Sequence, residues 1–137
     1  MHVKERITLK MKGLFEYYGK IYYAIPAEPN KPETGGKLAK SEKRKVGGGT
    51  YIFSPLCFAY IGATWIDDKL YYARDDGKLV MQGMFKDEDG NQRYAKPGTG
   101  GELAVDEIIT INKIEHHFDD DGICYKIVKY GKEILLR

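Results

Sequence analysis

Turn residues recur along this chain at intervals that leave room for strands and little else. Gly19-Lys20, Asp67-Asp68, Asp75-Asp76-Gly77, Asp87 to Gly90 and Asp119 to Gly122 all interrupt apolar runs. Asp-Gly and similar pairs between such runs are the strongest short-range hairpin signal a sequence carries. The sixteen glycines and eleven tyrosines agree with this, since glycine suits turns and tyrosine suits pleated strands.

The runs read as follows. Val3, Ile7, Leu9 and Met11 share one parity while Lys4, Arg6, Thr8, Lys10 and Lys12 hold the other, which is the pattern of a strand with one wet face. A hairpin follows, from Leu14 to Tyr18 and from Ile21 to Ile25. Tyr51 to Ile66 is the most apolar stretch and contains Pro55, which belongs at an edge or a break. Then come Leu70 to Arg74, Lys78 to Phe85, Asn91 to Ala95, Ile108 to Ile114, Ile123 to Tyr130 and Ile134 to Leu136, the last two as a hairpin about Gly131. At most one short helix is expected, around Glu102 to Ile109. The fold class is mostly β: a single antiparallel barrel or sandwich over 1–137, built from hairpins.

Between Pro26 and Gly49 no element is expected. Pro26, Pro29 and Pro32 favour unpaired backbone, and Gly35-Gly36 and Gly47-Gly48-Gly49 loosen the far end. A Pro/Gly/Lys-rich loop spanning 26–50 would be unusual inside a compact domain, and loops of that kind are usually functional or disordered.

An internal echo stands out. Residues 31–42 read KPETGGKLAKSE and residues 96–107 read KPGTGGELAVDE. Each copy follows a strand-like segment ending in alanine, Tyr22-Tyr23-Ala24 and Arg93-Tyr94-Ala95. Duplication of a structural unit is one source of such a pattern, and chance use of common loop residues is the other. Gly35, Gly36, Gly100 and Gly101 are candidates for touching a common partner; neither copy has the spacing of a phosphate-binding loop.

The net charge is +2, so the distribution of charge matters more than its sum. Lys37, Lys40, Lys43, Arg44 and Lys45 place five positive charges in nine residues, opposed by Glu42 alone. Such a run suits a phosphate backbone, an acidic protein surface, or simply solvent. Tyrosines recur in pairs at Tyr17-Tyr18, Tyr22-Tyr23 and Tyr71-Tyr72. Strand neighbours point to opposite faces, so Tyr17, Tyr22 and Tyr71 are candidates for outward interface rings.

No catalytic residue is assigned. Ser41 and Ser54 lie in no nucleophile frame, and Cys124 near His116 or His117 lacks a third group. Glu115, His116, His117 and Asp119 to Asp121 have metal-ligand chemistry but poor spacing, because adjacent strand histidines point apart. No metal or cofactor is expected. Cys57 and Cys124 match no zinc or redox spacing and read as reduced thiols of a cytoplasmic protein. No signal peptide or membrane span is read in the N-terminal segment.

The leading expectation is a non-enzymatic interaction or assembly protein, such as a small component of a viral or phage-like particle. It would dock on a protein partner or a second copy through exposed tyrosines and loops 26–50 and 96–102. The alternatives are a small barrel binding single-stranded nucleic acid, with tyrosines stacking bases, and an enzyme or ligand-binding barrel with Trp65 or a tyrosine on its pocket wall.

Overall fold

A computed structural model of the chain describes residues 7–11, 13–27, 29–31 and 35–136, the first five as backbone only. The start of the expected N-terminal strand and Pro32–Thr34 of the first echo therefore lie outside the described residues. Thirteen strands occur among the described residues, in chain order: β1 (Ile7–Met11), β2 (Leu14–Tyr17), β3 (Lys20–Tyr23), β4 (Glu42–Val46), β5 (Gly49–Phe53), β6 (Gly62–Ile66), β7 (Lys69–Ala73), β8 (Gly83–Lys86), β9 (Gln92–Ala95), β10 (Ile108–Ile111), β11 (Ile114–Phe118), β12 (Cys124–Lys129) and β13 (Lys132–Leu135). No helix occurs among the described residues.

The all-β architecture of antiparallel hairpins is as expected. Its sheets are small and open: β1-β2-β3, β10-β11-β12-β13, and the separate pairs β4-β5, β6-β7 and β8-β9. None closes on itself. The chain divides into two compact units. Unit one holds the described residues up to Ile61 together with Ala73–Leu79, and unit two holds Gly62–Tyr72 and everything from Val80 onward.

Several hairpins turn on two residues, both with positive φ: Tyr18-Gly19 (48° and 79°), Asp67-Asp68 (50° and 65°), Asn112-Lys113 (51° and 69°) and Tyr130-Gly131 (52° and 75°). Paired left-handed residues give the turn whose twist matches the strands it joins. The first of these turns sits one residue earlier than expected. The Asn112-Lys113 turn was not expected at all; it divides the β-branched run 108–114 into β10 and β11. Lysine gains nothing from a left-handed conformation, whereas glycine adopts it freely. Lys113→Gly is therefore expected to raise unfolding free energy by about 0.5–1 kcal/mol, read from denaturant melts; a loss of stability would contradict the turn assignment.

A recurring element links the hairpins. After the second strand of four of them, the chain leaves, loops and returns for one bridge: Ala24 with Leu38, Phe53 with Ala59, Ala73 with Leu79, and Ala95 with Leu103. The same two backbone bonds frame every bridge. The first loop N–H donates to the last loop carbonyl, from Ile25 to Lys37, Ser54 to Phe58, Arg74 to Lys78 and Lys96 to Glu102, at 2.8–2.9 Å. The residue after the bridge donates back, from Ala39 to Tyr23, Tyr60 to Ile52, Val80 to Tyr72 and Ala104 to Tyr94, also at 2.8–2.9 Å. Three returning segments also donate to an earlier hairpin: Ala59 to Ile21, Leu79 to Thr50 and Leu103 to Leu70. The stretch from β2 to Leu103 is thus built from variations on one hairpin-and-return unit.

The sequence echo falls on equivalent places in this frame. Leu38 and Leu103 are bridge residues, Ala39 and Ala104 follow them, and the Gly-Gly pairs lie in the loops. Ala39 and Ala104 are fully buried. Leu103 and Ala104, pointing opposite ways from extended backbone, enter two different cores of unit two.

The expected loop over 26–50 needs correction. Within it Glu42–Val46 forms strand β4, paired with β5 from Glu42 opposite Phe53 to Val46 opposite Gly49, where β5 begins. The lysine-rich run reads as loop because its alternation is hidden: four of the five β4 residues are charged. Lys78 to Phe85 likewise supplies only the bridge at Leu79 and the short β8, and Tyr51 to Ile66 is split into parts of β5 and β6.

Unit one packs around Leu14, Ile21, Tyr23, Val46, Tyr51 and Phe53. Unit two has one core on Leu70, Tyr72, Ala95 and Leu103 and another on Ala104, Phe118 and Cys124. It also buries an ion pair. Arg93 on β9 places Nε 2.7 Å from Asp87 Oδ2, with side-chain exposures of 8% and 4%. Arg93 also donates to the Asp121 carbonyl at 2.8 Å, and Asp87 Oδ1 accepts the N–H groups of Asp89 and Asn91 at 3.0 and 2.9 Å.

Candidate functional site

Four rings gather on the β2–β3 hairpin and its turn. Across its Tyr18-Gly19 turn, Phe15 pairs with Tyr22 and Tyr17 with Lys20. Period-two alternation sends Leu14, Ile21 and Tyr23 inward and leaves Phe15, Tyr17 and Tyr22 half-buried on the other side. Phe15 and Tyr22 stack with centroids 5.5 Å apart. Tyr17 stands at 65° to Tyr22, 6.3 Å away, and the exposed Tyr18 stands at 80° to Tyr17, 4.5 Å away. Rings meeting near right angles make a corner rather than a flat sheet.

Unit one also shows what its rings attract. Lys20 Nζ lies 4.1 Å above the Phe58 centroid, and the Arg44 guanidinium lies 5.6 Å from that of Tyr23. Both are contacts between a cation and a ring face. Sequence reasoning singled out Tyr17 and Tyr22 but missed Phe15 and Phe58. Phe15 was legible as the residue two before Tyr17, on the same strand face, once the turn is placed correctly.

The other candidates are dispersed. Lys37 ends the first return loop and Lys40 follows its bridge, both exposed. Lys43 and Lys45 point outward from β4, while Arg44 turns to the opposite face and binds Glu42 Oε1 at 2.9 Å. Gly36 has a φ of 85° and donates to the Ile25 carbonyl at 3.1 Å, whereas a Cβ on Gly35 would come within 3.0 Å of Ala27. Gly100 and Gly101, with φ of 80° and 102°, complete a loop closed by Thr99, whose hydroxyl donates to the Lys96 carbonyl at 2.6 Å. The two glycine pairs belong to different units. Tyr71 is half-buried on β7; its phenol is pushed up by burial first and then by the charge of Glu102.

Cys57 and Cys124 are free thiols. Burial pushes the Cys124 thiol up, so this sulfur is not an activated nucleophile. The Asp119–Asp121 carboxylates lie within 4.8 Å of one another, but Asp119 Oδ1 caps its own turn, accepting the N–H groups of Asp121 and Ile123 at 2.9 Å. No helix among the described residues is long and apolar enough to cross a membrane.

No protein-family model and no curated protein sequence matches the chain. Solved structures do. Choline-binding protein F of Streptococcus pneumoniae, determined with a peptidoglycan analogue, superposes with a TM-score of 0.65 at 18% identity, over 93% of this chain and 40% of its own. CbpF in complex with ipratropium gives 0.66 at 20% identity, over 90% and 38%. The choline-binding domain of Spr1274 in Streptococcus pneumoniae gives 0.50 at 21% identity, over 63% and 94%. The likeness is one of fold. This chain spans about four-tenths of the length of the choline-binding protein F chains it matches.

Proposed function

We propose that the chain is a non-catalytic binding module that holds a quaternary-ammonium group, of the kind borne by choline-decorated polymers, on the aromatic face of its β2–β3 hairpin. The observation that carries this reading is the corner formed by Tyr17, Tyr18 and Tyr22, with Phe15 stacked behind. Angled rings enclose a cation on several sides, and the ring quadrupoles attract it without demanding a hydrogen bond. Two further supports are the lysine and arginine already lying against rings in the same unit and the fold shared with proteins described as choline-binding.

The nucleic-acid alternative is weakened by geometry, since Arg44 and its neighbours Lys43 and Lys45 leave β4 on opposite faces. The fold resembles that of a choline-binding protein and of an autolysin, both determined with peptidoglycan ligands, which favours this reading over a particle component. Docking on a protein partner is the competing use of the same rings.

Calorimetric titration with choline and tetramethylammonium tests the reading. Saturable binding of both is expected, and Tyr17→Ala or Tyr22→Ala is expected to remove about 1–2 kcal/mol, roughly 5–30-fold in affinity. Absence of saturation, or variants that bind as the parent does, would contradict it. A chain that instead self-associates, and becomes monomeric on Tyr17→Ala/Tyr22→Ala, would establish the protein-docking use.

A further inference from the structure

We propose that unit two carries a second and chemically different site, a cleft that takes a neutral, hydroxyl-rich ring such as a saccharide. It does not rest on the function proposed for the β2–β3 face. The cleft lies between the β6–β7 hairpin and the second echo loop and encloses about 250 Å³. One wall is Trp65, the chain's single tryptophan, which remains 51% exposed on β6.

The same cleft is lined by charges of both signs. Lys69 lies 3.4 Å from Glu102, and Lys96 lies 3.1 Å from Glu107, whose Oε2 also accepts the Val105 N–H at 3.2 Å. Asp68 adds a third carboxylate. The second echo loop supplies Lys96 and Glu102 and is tied at its neck by the bond between their own backbones, 2.8 Å from Lys96 N to Glu102 O. Thr99 holds the loop from inside: its Oγ1 accepts the Glu102 N–H at 3.1 Å. These polar groups are thus positioned by the fold rather than left on a mobile loop.

The composition of the cleft selects its ligand. Lys69 and Lys96 are each already paired with a carboxylate, so the lining offers one net negative charge, which repels an anion, and a single ring, which is no cage for a cation. A purely apolar ligand would strip water from five charges without replacing its hydrogen bonds. A neutral ring with several hydroxyls satisfies all of these constraints. Its hydroxyls donate to carboxylates that have lone pairs to spare and accept from ammonium N–H groups, while its C–H face covers the indole. The volume is below the range of pockets for drug-sized ligands, which suits a single ring.

The lone tryptophan makes the test direct. Its fluorescence is followed while the full chain is titrated with isomaltose and with di-N-acetylchitobiose, and in parallel with choline and inorganic phosphate. A saturable change with at least one saccharide and none with the charged probes is expected. The bound saccharide should also protect Trp65 from acrylamide quenching. By calorimetry, Trp65→Ala and Glu102→Ala should each weaken saccharide binding at least tenfold, with circular-dichroism melts confirming that these exposed or half-exposed changes leave the fold intact. Tyr22→Ala should leave saccharide binding unchanged. The proposal is overturned if neither saccharide saturates, if choline or phosphate produces the fluorescence change, or if Trp65→Ala binds saccharide as the parent does.

Discussion

Arg93→Ala is expected to lower the stability of unit two by about 3–5 kcal/mol, because it leaves the Asp87 carboxylate buried without its partner. The loss reaches beyond one pair. Arg93 also holds the Asp121 carbonyl, its guanidinium lies 6.0 Å from the Tyr72 ring, and the Tyr72 hydroxyl accepts the Glu88 N–H at 3.1 Å. One side chain therefore ties the Asp87–Gly90 turn to the Asp119–Gly122 turn. Replacing both partners by apolar residues, as in Asp87→Leu/Arg93→Met, should cost far less than Arg93→Ala alone, since no charge is then stranded. Equal losses in the single and double variants would contradict this account.

The same pair sets an acid limb. Burial pushes the Asp87 carboxyl up, but the Arg93 hydrogen bond, the Asn91 and Asp89 N–H groups and the guanidinium charge outweigh it, and the net direction is down. The folded chain therefore releases this proton more readily than the unfolded chain. Ionised Asp87 contributes its full stability above the ordinary aspartate value of about 3.9, and that contribution is lost as pH falls from there through the lower folded value. The slope of stability against pH below about 4 should be shallower in the Leu/Met double variant.

The second large effect concerns unit one. Phe53→Ala should cost about 3–5 kcal/mol, because this ring is 1% exposed and packs 6.3 Å from Tyr23 and 6.1 Å from Tyr51, centroid to centroid. Phe53 also occupies a revealing position. In the other three bridges the strand residue is alanine (Ala24, Ala73, Ala95) and the returning residue is leucine (Leu38, Leu79, Leu103). Here the sizes are exchanged, with Phe53 opposite Ala59. Adding Ala59→Leu to Phe53→Ala restores the arrangement of the other units and should recover part of the loss. The pair is then coupled in a double-mutant cycle. Additive losses would argue that the bridges are not equivalent.

Much of this architecture was legible. Turn chemistry located the Asp67-Asp68 and Gly131 turns, and the parity of Tyr22-Tyr23 and Tyr71-Tyr72 gave the correct inward ring, Tyr23 or Tyr72, in each. The KPxTGGxLA echo left duplication and chance both open, and the backbone bonds show that its two copies mark the return of the chain to its own hairpin. Three things were hidden for physical reasons. Lys113 and Tyr18 adopt left-handed turn positions that their side chains do not advertise, so one turn was missed and another was placed a residue late. A one-residue slip re-pairs every ring on the hairpin, which is why Phe15 was overlooked as the partner of Tyr22. Strand β4 was concealed by its charges, since its pairing with β5 is made by backbone groups that composition does not report. The Arg93–Asp87 pair was invisible because nothing in the local pattern marks either residue as buried.

The most direct test of the central claim is an amide chemical-shift titration of the whole chain with choline. Saturable shifts confined to Phe15, Tyr17, Tyr18, Tyr22 and their strand neighbours are the predicted result. No saturable shift, or shifts centred instead on Trp65 and the loop from Lys96 to Glu102, would contradict the aromatic face of β2–β3 as the quaternary-ammonium site.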